Sequence, residues 1–174
     1  MFLVNFKEEN GLVTKIKTEL VLKQENYLEF FEIDDSSNYH LSLSRTLYLK
    51  DHQKDLFKQK IIDALKKEKE KNLPMKLKCE NVEIYLNDEK TRTFVAVAVE
   101  NEERILKLIE IIDEILKDFG LPVYYQPAKL HFSLFWCKGN QKENFSFEFE
   151  DFDDEFEVEI NEIFIKCGNK ITKI

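Results

Sequence analysis

A length of 174 residues, 43% hydrophobic content and only 3 Pro and 4 Gly describe a compact chain, and we predict a single domain over residues 1–174. No apolar run approaches the roughly 20 residues that a transmembrane helix needs, and we expect no membrane partner. The formal net charge of −8 argues against a surface that coats nucleic acid broadly, but it is compatible with a small site for one nucleic-acid end.

Hydrophobic periodicity and turn signals predict helices and strands in two halves of similar layout. In the first half we predict a strand at 2–6, helices at 10–22 and 25–31, a strand at 39–49 and a helix at 53–71. In the second half we predict strands at 75–87 and 91–99, a helix at 102–119, and strands at 129–137, 145–149, 157–166 and 169–174. This layout indicates an α+β fold with pseudo-two-fold symmetry.

The tripeptide pattern His-x-Ser occurs twice, at 40–42 and at 131–133, each time inside an apolar run that is typical of a strand. Side chains on a strand alternate between its faces, so the His and the Ser of each motif point to the same side. The chain has only 3 His, and two of them occupy this pattern. The candidate catalytic residues are His40 and His131, and the candidate phosphate-binding residues are Ser42 and Ser133.

These residue types suit the cleavage of a phosphodiester that has a neighbouring 2′-hydroxyl. One imidazole removes the hydroxyl proton and the other protonates the leaving oxygen, and the ordinary His pKa of about 6.5 serves both roles. Serine hydroxyls held two residues away on rigid strands supply hydrogen bonds to the phosphate as its negative charge grows. The pair of motifs therefore favours metal-independent phosphodiester chemistry.

The same residues admit other interpretations. A strand His is often a structural residue, and a single His-x-Ser occurs by chance. A metal site is disfavoured because His52 is the only spare His and no Cys pair has ligand spacing, so we expect neither a metal nor a cofactor. The cysteines are isolated and odd in number, which favours reduced thiols, and Cys137 is expected to be a buried thiol rather than a nucleophile.

The doubled motif resembles the two-histidine (2H) phosphoesterase superfamily. More narrowly, four blocks resemble the family of phosphodiesterases that process the 3′ end of U6 small nuclear RNA. They occur in the family's order, at residues 40–46, 87–94, 131–137 and 166–170. The resemblance covers the chain from about residue 40 to its end, and residues 1–35 match poorly.

The resemblance implies a two-lobed, pseudo-symmetric α+β fold, with antiparallel sheets lining a central groove and helices on the outer faces. It also implies a nuclear, monomeric, metal-independent 3′→5′ exoribonuclease that trims the oligo-uridine 3′ end of this RNA. His40 and His131 would form the acid–base pair, with His131 favoured as base, while Ser42 and Ser133 hold the phosphate. An aromatic residue shortly before the second motif stacks on the terminal base in such enzymes, and the candidates here are Tyr124 and Tyr125.

Two alternatives stay open. A 2H enzyme can instead open cyclic or 2′,5′-linked phosphodiesters of small nucleotides or RNA ends, or the chain can bind an RNA 3′ end without catalysis.

Two further expectations concern single residues. Strict alternation from His40 directs Arg45 to the opposite face, which predicts a structural salt bridge, and Trp136 is expected to be a core residue.

Overall fold

The computed structural model describes residues 1–7, 31–32, 38–100, 102–144, 156–168 and 170–174. The strands are β1 Phe2–Lys7, β2 Phe31–Glu32, β3 Asn38–Ser42, β4 Met75–Leu86, β5 Arg92–Val99, β6 His131–Lys138, β7 Phe156–Ile160, β8 Glu162–Cys167 and β9 Lys170–Lys173. The helices are α1 Asp51–Asn72 and α2 Glu103–Asp118, and a short 3-10 helix covers Lys142–Asn144.

All described strands join in one curled antiparallel sheet with the order β7-β4-β5-β6-β3-β1-β8-β9, and β2 pairs with β6. The sheet has two halves, β7-β4-β5-β6 and β3-β1-β8-β9. They meet where β3 lies beside β6, and the paired residues there are Leu41 and Phe132. The predicted α+β fold class with two lobes is therefore confirmed, and the lobes share a continuous hydrogen-bonded sheet.

Helix α1 presents its buried side chains at helical spacing, at Phe57, Ile61 and Leu65. It ends at Asn72, because the C-cap residue Leu73 precedes Pro74 and takes an extended conformation, as residues before proline favour. The neighbouring apolar residue Leu56 is 59% exposed, so the buried stripe of the helix is narrow.

Helix α2 has defined caps at both ends. The Glu102 carboxylate accepts hydrogen bonds from the backbone N–H groups of Arg104 (2.8 Å) and Ile105 (3.1 Å), which satisfies donors that have no partner inside the helix. At the other end Gly120 has φ +65°, and the N–H of Leu121 reaches back to the carbonyl of Leu116 at 2.9 Å. Gly120 therefore ends the helix as the sequence predicts.

The hydrophobic core lies between one face of the sheet and the two helices. Val95, Val97 and Val99 of β5 point into it, together with Leu41 and Phe132. Phe57 of α1 joins the elements, with its ring centroid 5.9 Å from that of Phe2 and 5.1 Å from that of Phe119. Because side chains alternate along a strand, the residues between these positions face the opposite, concave side of the sheet.

Two predicted strands differ from the structure. The predicted strand at 39–49 ends at Ser42, because the Ser44 hydroxyl accepts a hydrogen bond from the backbone N–H of Phe2 (3.1 Å) and the chain bends there. The predicted strand at 157–166 is interrupted at Asn161. Its first part, β7, pairs with β4, and its second part, β8, pairs with β1. The segment therefore connects the two halves of the sheet.

Three other predicted elements fall mainly outside the described residues. They are the helices at 10–22 and 25–31 and the strand at 145–149. Within the second of these, Phe31 is described and belongs to strand β2, so the predicted helix does not extend to that residue.

Candidate active site

The two His-x-Ser motifs lie side by side, on β3 and β6. Leu41 pairs with Phe132 in antiparallel register, and each of these two residues is the centre of its motif. An antiparallel pair has a local two-fold axis through its midpoint, and this axis relates one motif to the other. In such a ladder, diagonal neighbours two residues apart have Cα atoms separated by about 7–8 Å. The fold therefore brings the two predicted histidines close together.

All four candidate side chains belong to the concave face. Leu41 and Phe132 are 1% and 0% exposed and point into the core, so the residues on either side of them point away from it. His40, Ser42, His131 and Ser133 are each partly buried, which leaves part of each side chain accessible. Two imidazoles and two hydroxyls thus share this concave face of the sheet, which we call the groove.

His131 is held by two contacts. Its Nδ1 atom lies 2.9 Å from the carbonyl oxygen of Lys129, and its ring is stacked on Tyr85 with centroids 4.2 Å apart and planes inclined by 15°. A carbonyl only accepts hydrogen bonds, so Nδ1 carries the proton and the lone pair of the neutral ring resides on Nε2. Burial lowers the pKa of His131, although the Lys129 carbonyl and the charge of Glu83 act in the opposite direction. The surroundings therefore favour a neutral imidazole with a basic Nε2.

The two serines differ in what surrounds them. The Ser42 hydroxyl lies 3.5 Å from the sulfur of Met1, which is a weak contact. Ser133 pairs in register with Ala96 of β5, and its side chain is partly exposed. Both hydroxyls are therefore able to donate to an anion in the groove.

The structure separates the two candidate tyrosines. Tyr124 is 4% exposed, its backbone N–H donates to Asp113 (2.9 Å), and burial raises the pKa of its hydroxyl to about 12. Tyr125 is 37% exposed and offers its ring at the surface. Tyr124 is thus part of the core, and Tyr125 is the one of the pair whose ring a base can reach.

Tyr125 belongs to a small polar cluster with Arg45 and Asp88. The Arg45 guanidinium carbon lies 3.9 Å from the Tyr125 ring centroid, and Arg45 Nη1 lies 3.6 Å from an Asp88 carboxylate oxygen. The Tyr125 hydroxyl lies 3.5 Å from the same carboxylate oxygen. The salt bridge predicted for Arg45 is confirmed, and the tip of the β4–β5 hairpin is thereby joined to the segment that precedes β6.

Sequence reasoning missed Tyr85, Asp88 and the Lys129 carbonyl. Alternation along β4 places Tyr85 on the same face as Glu83, but nothing in the sequence shows that the sheet curls far enough for a side chain of β4 to reach His131 on β6.

The prediction that Trp136 is a core residue holds only in part. Trp136 is half-buried rather than fully buried, and the Arg92 guanidinium carbon lies 4.6 Å from its ring centroid. An irregularity in the β5–β6 pairing between Val95 and Ala96 gives Trp136 this position opposite Phe94.

Three further observations concern a cysteine beside the second motif, groups of metal-ligating residues and the described helices. Cys137 is 2% exposed, and burial raises the pKa of its thiol, so it is the buried thiol that we expected. Within the described ranges, His, Cys, Asp and Glu side chains form no group of three or more suited to a metal ion. None of the described helices has the length and apolarity to cross a bilayer.

Comparison with known proteins gives the family. A protein-family model described as "HVSL: Uncharacterised conserved protein" matches residues 5–174. The chain is 33% identical to U6 snRNA phosphodiesterase 1 of Drosophila melanogaster over 164 residues, which cover 90% of this chain and 61% of that protein. It is 35% identical to U6 snRNA phosphodiesterase 1 of Danio rerio over 149 residues, which cover 78% of this chain and 52% of that protein.

Solved structures show the same fold. Kluyveromyces marxianus Usb1 with uridine monophosphate aligns with a TM-score of 0.69 at 12% identity, covering 99% of this chain and 95% of that one. The MHV ns2 PDE domain aligns with a TM-score of 0.53 at 17% identity, covering 99% of this chain and 97% of that domain. In length, the chain spans 61% of the fly relative and 52% of the zebrafish relative. It belongs to the HVSL family, and its predicted resemblance to the U6 small nuclear RNA phosphodiesterases is confirmed.

Proposed function

We propose that this chain is a metal-independent 3′→5′ exoribonuclease that trims the oligo-uridine 3′ end of U6 small nuclear RNA. The observation that carries the proposal is the Leu41–Phe132 pair, which sets the two His-x-Ser motifs side by side on one face of the sheet. The name shared by the fly and zebrafish relatives supports the substrate, and the uridine monophosphate that accompanies Kluyveromyces marxianus Usb1 supports uridine binding. The proposal includes one two-lobed domain over residues 1–174, a monomer, and a nuclear location.

Each of the four groups has a role in the proposed reaction. His131 Nε2 takes the proton of the 2′-hydroxyl, and the 2′-oxygen attacks the neighbouring phosphorus. The bond from phosphorus to the 5′-oxygen breaks, and protonated His40 donates its proton to that oxygen. The Ser42 and Ser133 hydroxyls donate hydrogen bonds to the non-bridging phosphoryl oxygens, on which negative charge grows.

The attack leaves a 2′,3′-cyclic phosphate on the shortened RNA and releases the terminal residue. If water then opens the ring with the two histidines in exchanged roles, the RNA end carries an open phosphate instead. Mass analysis of the shortened RNA distinguishes the two ends. Tyr125 is proposed to stack on the terminal base, because its side chain is 37% exposed while that of Tyr124 is buried.

The decisive experiment incubates the purified protein with a uridine-tailed oligonucleotide in the presence of a chelator. We expect stepwise shortening, and we expect His40→Ala and His131→Ala each to slow it by about 10²–10⁴-fold, the usual contribution of a general acid or base. His52→Ala is the matched control, since His52 is exposed on the first turn of α1. Intact RNA with the wild-type protein, or full activity in either groove variant, would contradict the proposal.

A substrate panel separates the alternatives. Activity on 2′,3′-cyclic or 2′,5′-linked nucleotides without trimming of the uridine tail indicates a different enzyme of the same superfamily. Binding of the oligonucleotide with complete recovery of intact RNA indicates a non-catalytic module.

A further inference from the structure

Tyr85 covers one face of the His131 ring. The stacked arrangement, with centroids 4.2 Å apart and an inclination of 15°, is close and nearly parallel. Tyr85 lies on β4 and His131 on β6, so the two side chains meet across the intervening strand β5. A contact between side chains that start two strands apart requires both space on β5 and a curled sheet.

The space comes from small residues of β5. Ala98 pairs with His131, and Ala96 pairs with both Ser133 and Glu83. These two alanines are 5% and 0% exposed, so the larger side chains around them cover them completely. A branched side chain at either position would occupy the volume through which the Tyr85 ring reaches the imidazole.

Two different contacts restrain two different motions of His131. The hydrogen bond from Nδ1–H to the Lys129 carbonyl, 2.9 Å long, fixes which ring edge points towards the backbone. The Tyr85 ring fixes the plane of the imidazole, because tilting that plane separates the two stacked faces. With Nδ1 engaged and one face covered, the lone pair on Nε2 remains directed away from both contacts.

We propose that Tyr85 is a positioning residue that holds the His131 imidazole in the orientation in which Nε2 takes the proton of the RNA 2′-hydroxyl. The inference rests on the proposed function and deepens it by naming a residue that acts through His131 without touching the substrate. Supporting side chains that lock the rotamer of a catalytic group are what general acid–base geometry requires.

The groups around His131 define how its charge responds to this contact. They are Tyr85 and Glu83 from β4, the Lys129 carbonyl from the segment before β6, and His40 from β3, the neighbouring strand. Burial lowers the pKa of His131, while the Lys129 carbonyl and the Glu83 charge raise it. Removing the Tyr85 ring admits water to one face of the imidazole and weakens the burial effect, so the pKa rises.

The kinetic experiment compares Tyr85→Met, which replaces the flat ring by a smaller and flexible apolar side chain, with Tyr85→Phe, which keeps the ring. On a uridine-tailed oligonucleotide we expect Tyr85→Met to lower kcat with little change in KM, because misplacement of a catalytic group by about 1 Å can cost on the order of 100-fold. We expect Tyr85→Phe, which keeps the stacked ring, to retain the wild-type kcat. Tyr48→Met serves as the control, since Tyr48 is 88% exposed.

An NMR titration reads the same effect without any RNA. The chain has 3 His, so three sets of imidazole signals are resolved, and the signals missing from His131→Ala identify those of His131. We expect protonated Nδ1 in the wild type, and in Tyr85→Met a titration midpoint of His131 shifted up towards about 6.5. A changed titration in a protein that cleaves no RNA shows that Tyr85 restrains His131 although the proposed function fails.

Wild-type kcat and a wild-type His131 titration in folded Tyr85→Met overturn the proposal. If Tyr85→Met does not fold, the wild-type protein still tests whether the two rings are stacked, because stacked rings give nuclear Overhauser contacts between the Tyr85 and His131 ring protons. Absence of these contacts in the folded wild type also overturns it.

Discussion

The two histidines are equivalent by sequence motif, but the structure gives His131 surroundings that a base needs. Its Nδ1 donates to a backbone carbonyl, its face is covered by Tyr85, and burial lowers its pKa. A neutral imidazole with one committed nitrogen accepts a proton at the other nitrogen without reorganisation. These observations support the proposed assignment of His131 as the base and leave the acid role to His40.

A pH–rate profile tests this assignment at the residue scale. Because the folded-state pKa of His131 lies below its ordinary value, the neutral form persists as the pH falls through about 6.5. We therefore expect the acid limb of kcat/KM to fall at a pH below about 6.5. An acid limb at or above this pH would contradict the assignment, and Tyr48→Met provides the matched control profile.

The same shift affects stability in a defined direction. In the unfolded chain His131 binds a proton at about pH 6.5, whereas in the folded protein it binds one only at lower pH. The unfolded state therefore holds more protons in the interval between the two pKa values. The contribution of His131 to stability falls as the pH is lowered through that interval.

At the scale of elements, the two adjacent tyrosines between α2 and β6 contact different elements, Tyr124 the helix α2 and Tyr125 the β4–β5 hairpin. Gly120 ends α2, and the chain then folds back along the helix. The carboxylate of Asp113 in α2 accepts a hydrogen bond from the backbone N–H of Tyr124 and fixes that residue in the core. Tyr125 instead meets the tip of the β4–β5 hairpin through Asp88. One step along the chain thus separates a packing residue from a surface residue.

Alanine substitutions at the two tyrosines should have different consequences. Tyr125→Ala should raise KM for uridine-tailed RNA with little effect on stability, because a stacked base contributes about 1–3 kcal/mol. Tyr124→Ala should instead lower the free energy of unfolding by roughly 3–5 kcal/mol, as the deletion of a buried aromatic side chain does. Steady-state kinetics and urea denaturation of both variants measure the two effects, and the reverse pattern would refute the division.

At the scale of the whole molecule, one core serves both halves of the sheet. Phe2 of one half contacts Phe57 of α1, and Phe57 contacts Phe119 at the end of α2, which packs against the buried cluster. Leu41 and Phe132 contribute to the same cluster from opposite sides of the junction. Because the described residues of both halves share this cluster, we expect the two halves to unfold together.

Urea denaturation followed by two probes tests this expectation. The single Trp of the chain, Trp136, lies in the β6 half and reports its unfolding by fluorescence, while far-UV circular dichroism reports both halves. We expect the two transitions to coincide, as in a two-state unfolding reaction. Separate midpoints would show that the lobes are independent and would contradict the proposed single domain.

The local features of this protein could be read from its sequence. Apolar runs identified β5 and the His-x-Ser strands, and the helix predicted at 102–119 matches α2 to within one residue at each end. The end of β3 was not predictable in this way, since it depends on the hydrogen bond between Ser44 and the backbone of Phe2, 42 residues away in the chain. The division of the strand predicted at 157–166 likewise depends on which distant strands its two parts meet.

The sequence by itself determined which residues can do the chemistry and which of them share a strand face, because the two-residue repeat of a strand is a local property of the backbone. Only the tertiary structure decided that the two motifs are neighbours, that Tyr85 stacks on His131, and that Tyr125 rather than Tyr124 reaches the surface. Strand register and sheet curvature set these contacts. Both arise from packing between segments far apart in the chain, which no local pattern records.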